Sequence, residues 1–223
     1  MIKIVYLISL LPYIPLWLFF YFKGSTKIKK EMLFMSILVA IISPISSYLW
    51  WNKDWWQPPS VFSGVIAPED ILLGFLFGGI AAVIYEFAFK KSLRHSANSH
   101  RNGFIFLLVT LIVTCAVLFS LVKVNSFTAI TIALILTAAG ALSVRRDLIR
   151  SALHSGLLTL FISLPFYIFA YFLSPEWSIV TYKFGTLSGI TSYGFPIEEF
   201  IFWFIFGLAI GPAYEYLKGW GFK

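Results

Sequence analysis

The sequence predicts an all-α polytopic membrane protein. Three observations carry that reading: too little charge for a soluble surface, seven apolar stretches of span length, and a lopsided distribution of basic residues between them. Of 223 residues, 59% are hydrophobic and 12% are charged, whereas soluble domains average about 25% charged residues. A helix needs about 20 mostly apolar residues to cross a hydrocarbon core ~30 Å thick. The stretches Ile4–Phe22, Met32–Trp50, Pro68–Phe89, Phe104–Val122, Ser126–Ser143, Ser151–Leu173 and Pro196–Leu217 meet that length. The first is expected to be a span rather than a cleaved signal. Its apolar run is too long, only Lys3 precedes it, and no small-x-small site follows.

With the N-terminus outside, 13 of the 17 basic residues fall in the inner segments, and only Lys3, Lys53, Lys123 and Lys183 lie outside. Positive residues collect on the cytoplasmic side, so a multi-pass cell-membrane protein with its C-terminus inside is expected. The net charge of +7 then reports topology and attraction to an anionic inner leaflet. The basic residues are scattered through short loops, so no nucleic-acid partner is expected. Trp50, Trp51, Trp55 and Trp56 sit where an interfacial belt belongs. The lone Cys115 lies inside a span, which excludes a disulfide framework and a thiolate metal site.

The loops at 51–67, 90–103 and 174–195 are each too short to fold alone, but the chain repeats internally. At an offset of 129, Glu69-Asp70 falls on Glu198-Glu199, Gly78 on Gly207, and Tyr85-Glu86 on Tyr214-Glu215. Gly64 and Gly189 precede the two acidic pairs. Residues 1–90 and 126–223 thus read as two parallel three-helix repeats, and an odd linking span in 91–125 restores the direction between them.

Each copy passes from a Gly- and Pro-containing loop into an acidic pair, then an aromatic-rich helix, then Tyr-Glu. The stretches are Gly64-Val-Ile-Ala-Pro-Glu-Asp70 and Gly194-Phe-Pro-Ile-Glu-Glu-Phe-Ile-Phe-Trp203. This pattern resembles the small membrane lycopene cyclases, carotenoid β-cyclases built from two homologous domains. Each of their domains carries Pro-x-Glu-Glu or Pro-x-Glu-Asp at the head of a span. Pro196-Ile-Glu-Glu199 matches fully; Pro68-Glu69-Asp70 lacks the spacer. Alignment on the proline pairs Asp70 with Glu198. Alignment on the ungapped helix pairs Glu69 with Glu198 and is preferred. The resemblance covers most of residues 30–90 and 150–220.

Proline at the first helical position and acids in the first turn are also ordinary helix-start chemistry. Two such pairs, at matching membrane boundaries in both repeats, favour function, because ionisable groups at membrane depth usually have one. Glu86 and Glu215, by contrast, are expected to pair with Lys90 and Lys218 on their own helices. Tyr85 and Tyr214 are expected to be interface anchors, and the isolated His154 packing rather than chemistry.

Absent motifs narrow the classes. No G-x-G-x-x-G follows a strand, no paired Asp-rich motif offers to hold magnesium diphosphate, span 7 has no interior Lys for a retinal Schiff base, and no His cluster suggests a di-iron site. The resemblance implies an enzyme of carotenoid biosynthesis that binds an apolar polyene within the bilayer. It would close a linear end group to a β-ionone ring by acid–base chemistry, an isomerisation that needs no cofactor and no metal. Glu198, Glu199, Glu69 and Asp70 are the candidate catalytic residues. Another polyene-modifying membrane enzyme would keep the same acids. A non-catalytic carrier or assembly protein would keep the repeat without needing them.

Overall fold

The computed structural model describes residues 2–62 and 66–223; the loop glycine Gly64 lies outside the described residues. Seven helical spans occur, at Ile2–Lys23, Thr26–Asp54, Pro68–Phe89, Arg101–Val122, Ser126–Val144, Arg146–Leu173 and Ile197–Lys218, numbered spans 1 to 7 in that order. Each is long and apolar enough to cross a membrane, so the all-α polytopic class holds. Spans 2 and 6 extend several residues beyond the expected bounds, because Thr26–Met32 and Arg146–Arg150 continue the helix in polar sequence.

Span 3 is the axis of the bundle. Of its most apolar stretch, 72% is buried inside the protein, against 6% for span 4. Span 4 therefore presents its Ile, Phe and Val side chains outward, as Ile105, Phe106, Val109, Ile112 and Val113 do. Small residues let span 3 sit this deep. A Cβ on Gly78 would meet the Val39 side chain of span 2 at 2.7 Å, and one on Gly207 of span 7 would meet the Ser155 carbonyl of span 6 at 2.6 Å. The two glycines thus do the same job at matching places, each letting the backbones of its helix pair approach closely.

Spans 1, 2 and 6 carry irregularities. Span 1 breaks at Leu11-Pro12 into helices Ile2–Leu10 and Tyr13–Lys23, since proline cannot donate into the ladder. Span 2 ends in a π turn at Ser47–Trp51, and such turns often accompany functional sites. Span 6 contains Pro165. Three residues before it and one after it, the Tyr13 hydroxyl of span 1 enters the backbone ladder. It accepts from the Phe166 N–H at 2.9 Å and donates to the Ile162 carbonyl at 2.7 Å. That pair would bond directly in a regular helix. An inserted side chain of this kind bends a helix, here immediately before Tyr167.

The loop before span 7 is a short hairpin, Thr191–Ser192 against Phe195–Pro196. Its turn residues Tyr193 and Gly194 have φ of 50° and 80°, the positive-φ pair of a tight two-residue turn. The Ile197 N–H closes on the Ile190 carbonyl at 3.0 Å, which fixes where the helix starts.

Several sequence expectations fail in the folded chain. Trp55 and Trp56 are not an interfacial belt: they are 2% and 6% exposed. The π turn carries them under the loop of residues 174–195, where Trp56 bridges to Tyr182. Tyr85 and Tyr214 are likewise buried, packed on Phe222 and Trp220 respectively. Glu86 and Glu215 do not pair with lysines. Lys90 takes the left-handed cap of span 3 and is exposed, and Lys218 lies over the Tyr214 ring. Both glutamates instead turn inward. His154 packs as expected, on Tyr85 and Phe89.

Candidate active site

Spans 3 and 7 run in the same direction, so their N-terminal acidic pairs meet at one end of the bundle and Glu86 and Glu215 at the other. Within each pair the two acids have different surroundings. The first acid turns back to the loop it follows. Glu69 accepts from the Ser60 hydroxyl at 2.8 Å and the Val61 N–H at 3.0 Å. Glu198 accepts from the Ser188 N–H at 2.6 Å. The two serines make the same local turn, accepting the N–H two residues on from Phe62 and Ile190. Glu69 and Glu198 thus tether their loops at the helix N-terminus, where a carboxylate is stabilised.

The second acid turns into the protein. Asp70 Oδ1 accepts from the Tyr6 hydroxyl at 2.8 Å, and Glu199 Oε2 accepts from the Tyr167 hydroxyl at 2.6 Å. Tyr167 in turn accepts from the Trp203 indole N–H at 2.5 Å. That donor leaves the phenol proton directed at Glu199. In both acids the other oxygen, Asp70 Oδ2 and Glu199 Oε1, is buried without a partner. The Trp55 and Trp56 indole N–H groups face Glu199 and Asp70 but stop outside hydrogen-bond geometry.

Aromatic rings join the two acids. Tyr6 packs edge-on against Phe166 at 6.0 Å, and Phe166 against Tyr167 at 5.2 Å. Trp177, fully buried, contacts Tyr6, Trp56, Phe166 and Phe195. Tyr182 closes the loop side of the site with its hydroxyl buried and unpartnered. Burial first, and then the nearby Glu199, push its ionisation well above the usual phenol value, so it stays a neutral hydroxyl.

Glu199 lines a small chamber with Trp51, Trp55, Trp56, Phe202 and Trp203 among its walls. Trp51, Leu73, Phe202 and Trp203 also border a larger apolar groove between spans 2, 3, 4, 5 and 7. That groove continues to Tyr216 near the far end of span 7. Trp203 and Tyr216 are 13 residues apart, or ~20 Å along a helix. A separate lipid-facing groove between spans 6 and 7 reaches Tyr167 from the other side.

Residues 124–217 match the family model described as lycopene cyclase. This supports a lycopene cyclase family assignment. The matched stretch is less than half of the chain and contains Pro196-Ile-Glu-Glu199, spans 5 and 6 and span 7 up to Leu217. No curated protein and no solved structure gives a match. The lycopene cyclase match supports a carotenoid cyclase function in general terms, hence an enzyme with a hydrophobic substrate in a membrane.

The sequence motifs thus bring Glu69, Asp70, Glu198 and Glu199 to one place, divided between loop-holding and inward-facing roles. Sequence reasoning missed Tyr6 and Tyr167, and the bond that Trp203 of the motif makes to Tyr167. A tyrosine two residues after a mid-span proline was a signal for Tyr167.

Proposed function

We propose that the protein is a lycopene β-cyclase, an isomerase that closes the ends of a linear carotenoid within the membrane. The observation that carries this reading is the Glu199 carboxyl. One of its oxygens is held by Tyr167 and the other is buried without a partner, and the residue lines a Trp- and Phe-rich chamber whose walls Trp51, Leu73, Phe202 and Trp203 also border a long apolar groove. With Oε2 accepting from Tyr167, the acid proton belongs on Oε1.

In the reaction, Glu199 delivers that proton to the terminal double bond of the polyene. The electrons of the bond form the new C–H bond and leave a tertiary cation. The neighbouring double bond attacks it, forming the ring C–C bond and moving the positive charge into the ring. A ring proton then leaves to a carboxylate, for which Asp70 is the candidate, and its electrons become the ring double bond. Substrate and product are isomers, so no electrons enter or leave. The faces of Trp51, Trp55, Phe202 and Trp203 supply negative quadrupole to the passing cation, and the groove takes the rest of the chain. Glu69 and Glu198 act by holding the loops above the site.

The same reading sets residues 1–90 and 126–223 as parallel repeats around the linking span of 91–125, with the N-terminus outside and the C-terminus cytoplasmic. The 13-to-4 division of basic residues supports the orientation, and the matched contacts of Gly78 and Gly207 support the repeat. Expression of the chain in a bacterial host engineered to accumulate lycopene tests the function. Chromatography of the pigments is expected to show lycopene replaced by a cyclic isomer. Unchanged lycopene beside abundant membrane-inserted protein would refute the substrate assignment.

A further inference from the structure

At the end of the bundle opposite the chamber, Glu31 of span 2, Glu86 of span 3 and Glu215 of span 7 converge. They are 0%, 2% and 0% exposed, and one carboxylate oxygen from each lies within 4.8 Å of the others. None of the six oxygens receives a hydrogen bond from a protein donor. Glu86 and Glu215 come from matching repeat positions. Glu31 is the separate observation: a fully buried side chain from a third helix that enters the pair with both oxygens unpartnered.

The cations nearby are turned elsewhere. Arg145 pairs with Asp147 at 2.7 Å, the one ion pair among the described residues. Its remaining donors go to the backbone carbonyls of Trp220 and Glu215. Lys27 donates to the Leu93 carbonyl, and Lys218 lies over Tyr214. Three carboxylates sealed together with no cation paired to any of them are strongly unfavourable in a low-dielectric interior.

We propose that Glu31, Glu86 and Glu215 bind a hard divalent cation of calcium size. The donor set is oxygen only, which selects hard cations over zinc or copper. Three carboxylates offer six oxygens, the lower end of the calcium range of 6–8. The three oxygens are close enough to share one cation, and calcium accepts such an all-protein oxygen set, whereas magnesium keeps several waters that a sealed site excludes. The cation would tie spans 2, 3 and 7 together, fastening both repeats at the end away from the chemistry.

The test uses the full chain purified in detergent and stripped with EDTA. One tightly bound calcium per chain is expected by equilibrium dialysis, together with a rise of several degrees in melting temperature on adding calcium. Manganese, used as a paramagnetic probe, is expected to bind at the same stoichiometry and be displaced by calcium. Glu31→Gln and Glu86→Gln should each lose the bound ion and the thermal shift. Two results would overturn the proposal. Stripped wild-type protein that binds neither ion would mean the acids share protons instead. Binding that survives both substitutions would place the ions on surface acids.

Discussion

Glu199→Gln is expected to slow ring closure by ~10²-fold or more, the range for loss of one proton-transfer group, while the protein inserts and accumulates normally. The amide is nearly the same size, and its carbonyl can still accept from Tyr167 at the place of Oε2. It cannot carry an acid proton at the place of the unpartnered Oε1. Glu198→Gln should be much milder. Its carbonyl can still accept from Ser188, and the loss of charge at a helix start costs ~0.3–1 kcal/mol. Pigment ratios normalised to membrane protein measure both. Equal loss in the two variants would contradict the division of labour between loop-holding and inward-facing acids. Normal cyclisation by Glu199→Gln would remove the proton donor from the account.

Trp177→Ala is expected to be among the most destabilising single changes in the chain, by about 3–5 kcal/mol, as for other fully buried large aromatics. Trp177 is fully buried, and its ring touches those of Tyr6, Trp56, Phe166 and Phe195. Its indole N–H has no partner, so the loss is packing alone. Because Tyr6 holds Asp70 and Phe166 neighbours Tyr167, the same change should loosen both inward-facing acids. Thermal unfolding in detergent gives the stability, and Trp177→Phe should recover part of it. An unchanged melting temperature would mean that the loop of residues 174–195 does not pack on the spans as described.

What the sequence made legible follows from what each signal depends on. Span number and approximate limits depend on local hydrophobic length, and all seven spans were found. The acidic motifs were found because the repeat set Glu69-Asp70 beside Glu198-Glu199. Partner assignments failed where they rested on one helix alone. Glu86 and Glu215 looked paired with Lys90 and Lys218 because i, i+3 and i, i+4 spacing describes neighbours on one helix surface. Their actual neighbours, each other and Glu31, lie on different spans. Trp55 and Trp56 looked interfacial because sequence position gives depth along the membrane but not whether a ring faces lipid or protein. The Tyr13 insertion at Pro165 joins residues 149 to 153 positions apart, and no local pattern announces it.

The central claim is that this protein cyclises a linear polyene by proton addition and proton loss, with no net redox change. The most direct measurement is mass analysis of the product formed by purified protein with lycopene in vesicles made up in D₂O. The proton delivered by a carboxyl group exchanges with solvent, so each ring formed should carry one deuterium from the water. In ordinary water the product should have the same mass as lycopene. A cyclic product without solvent deuterium, or one whose mass in ordinary water differs from that of lycopene, would contradict the account.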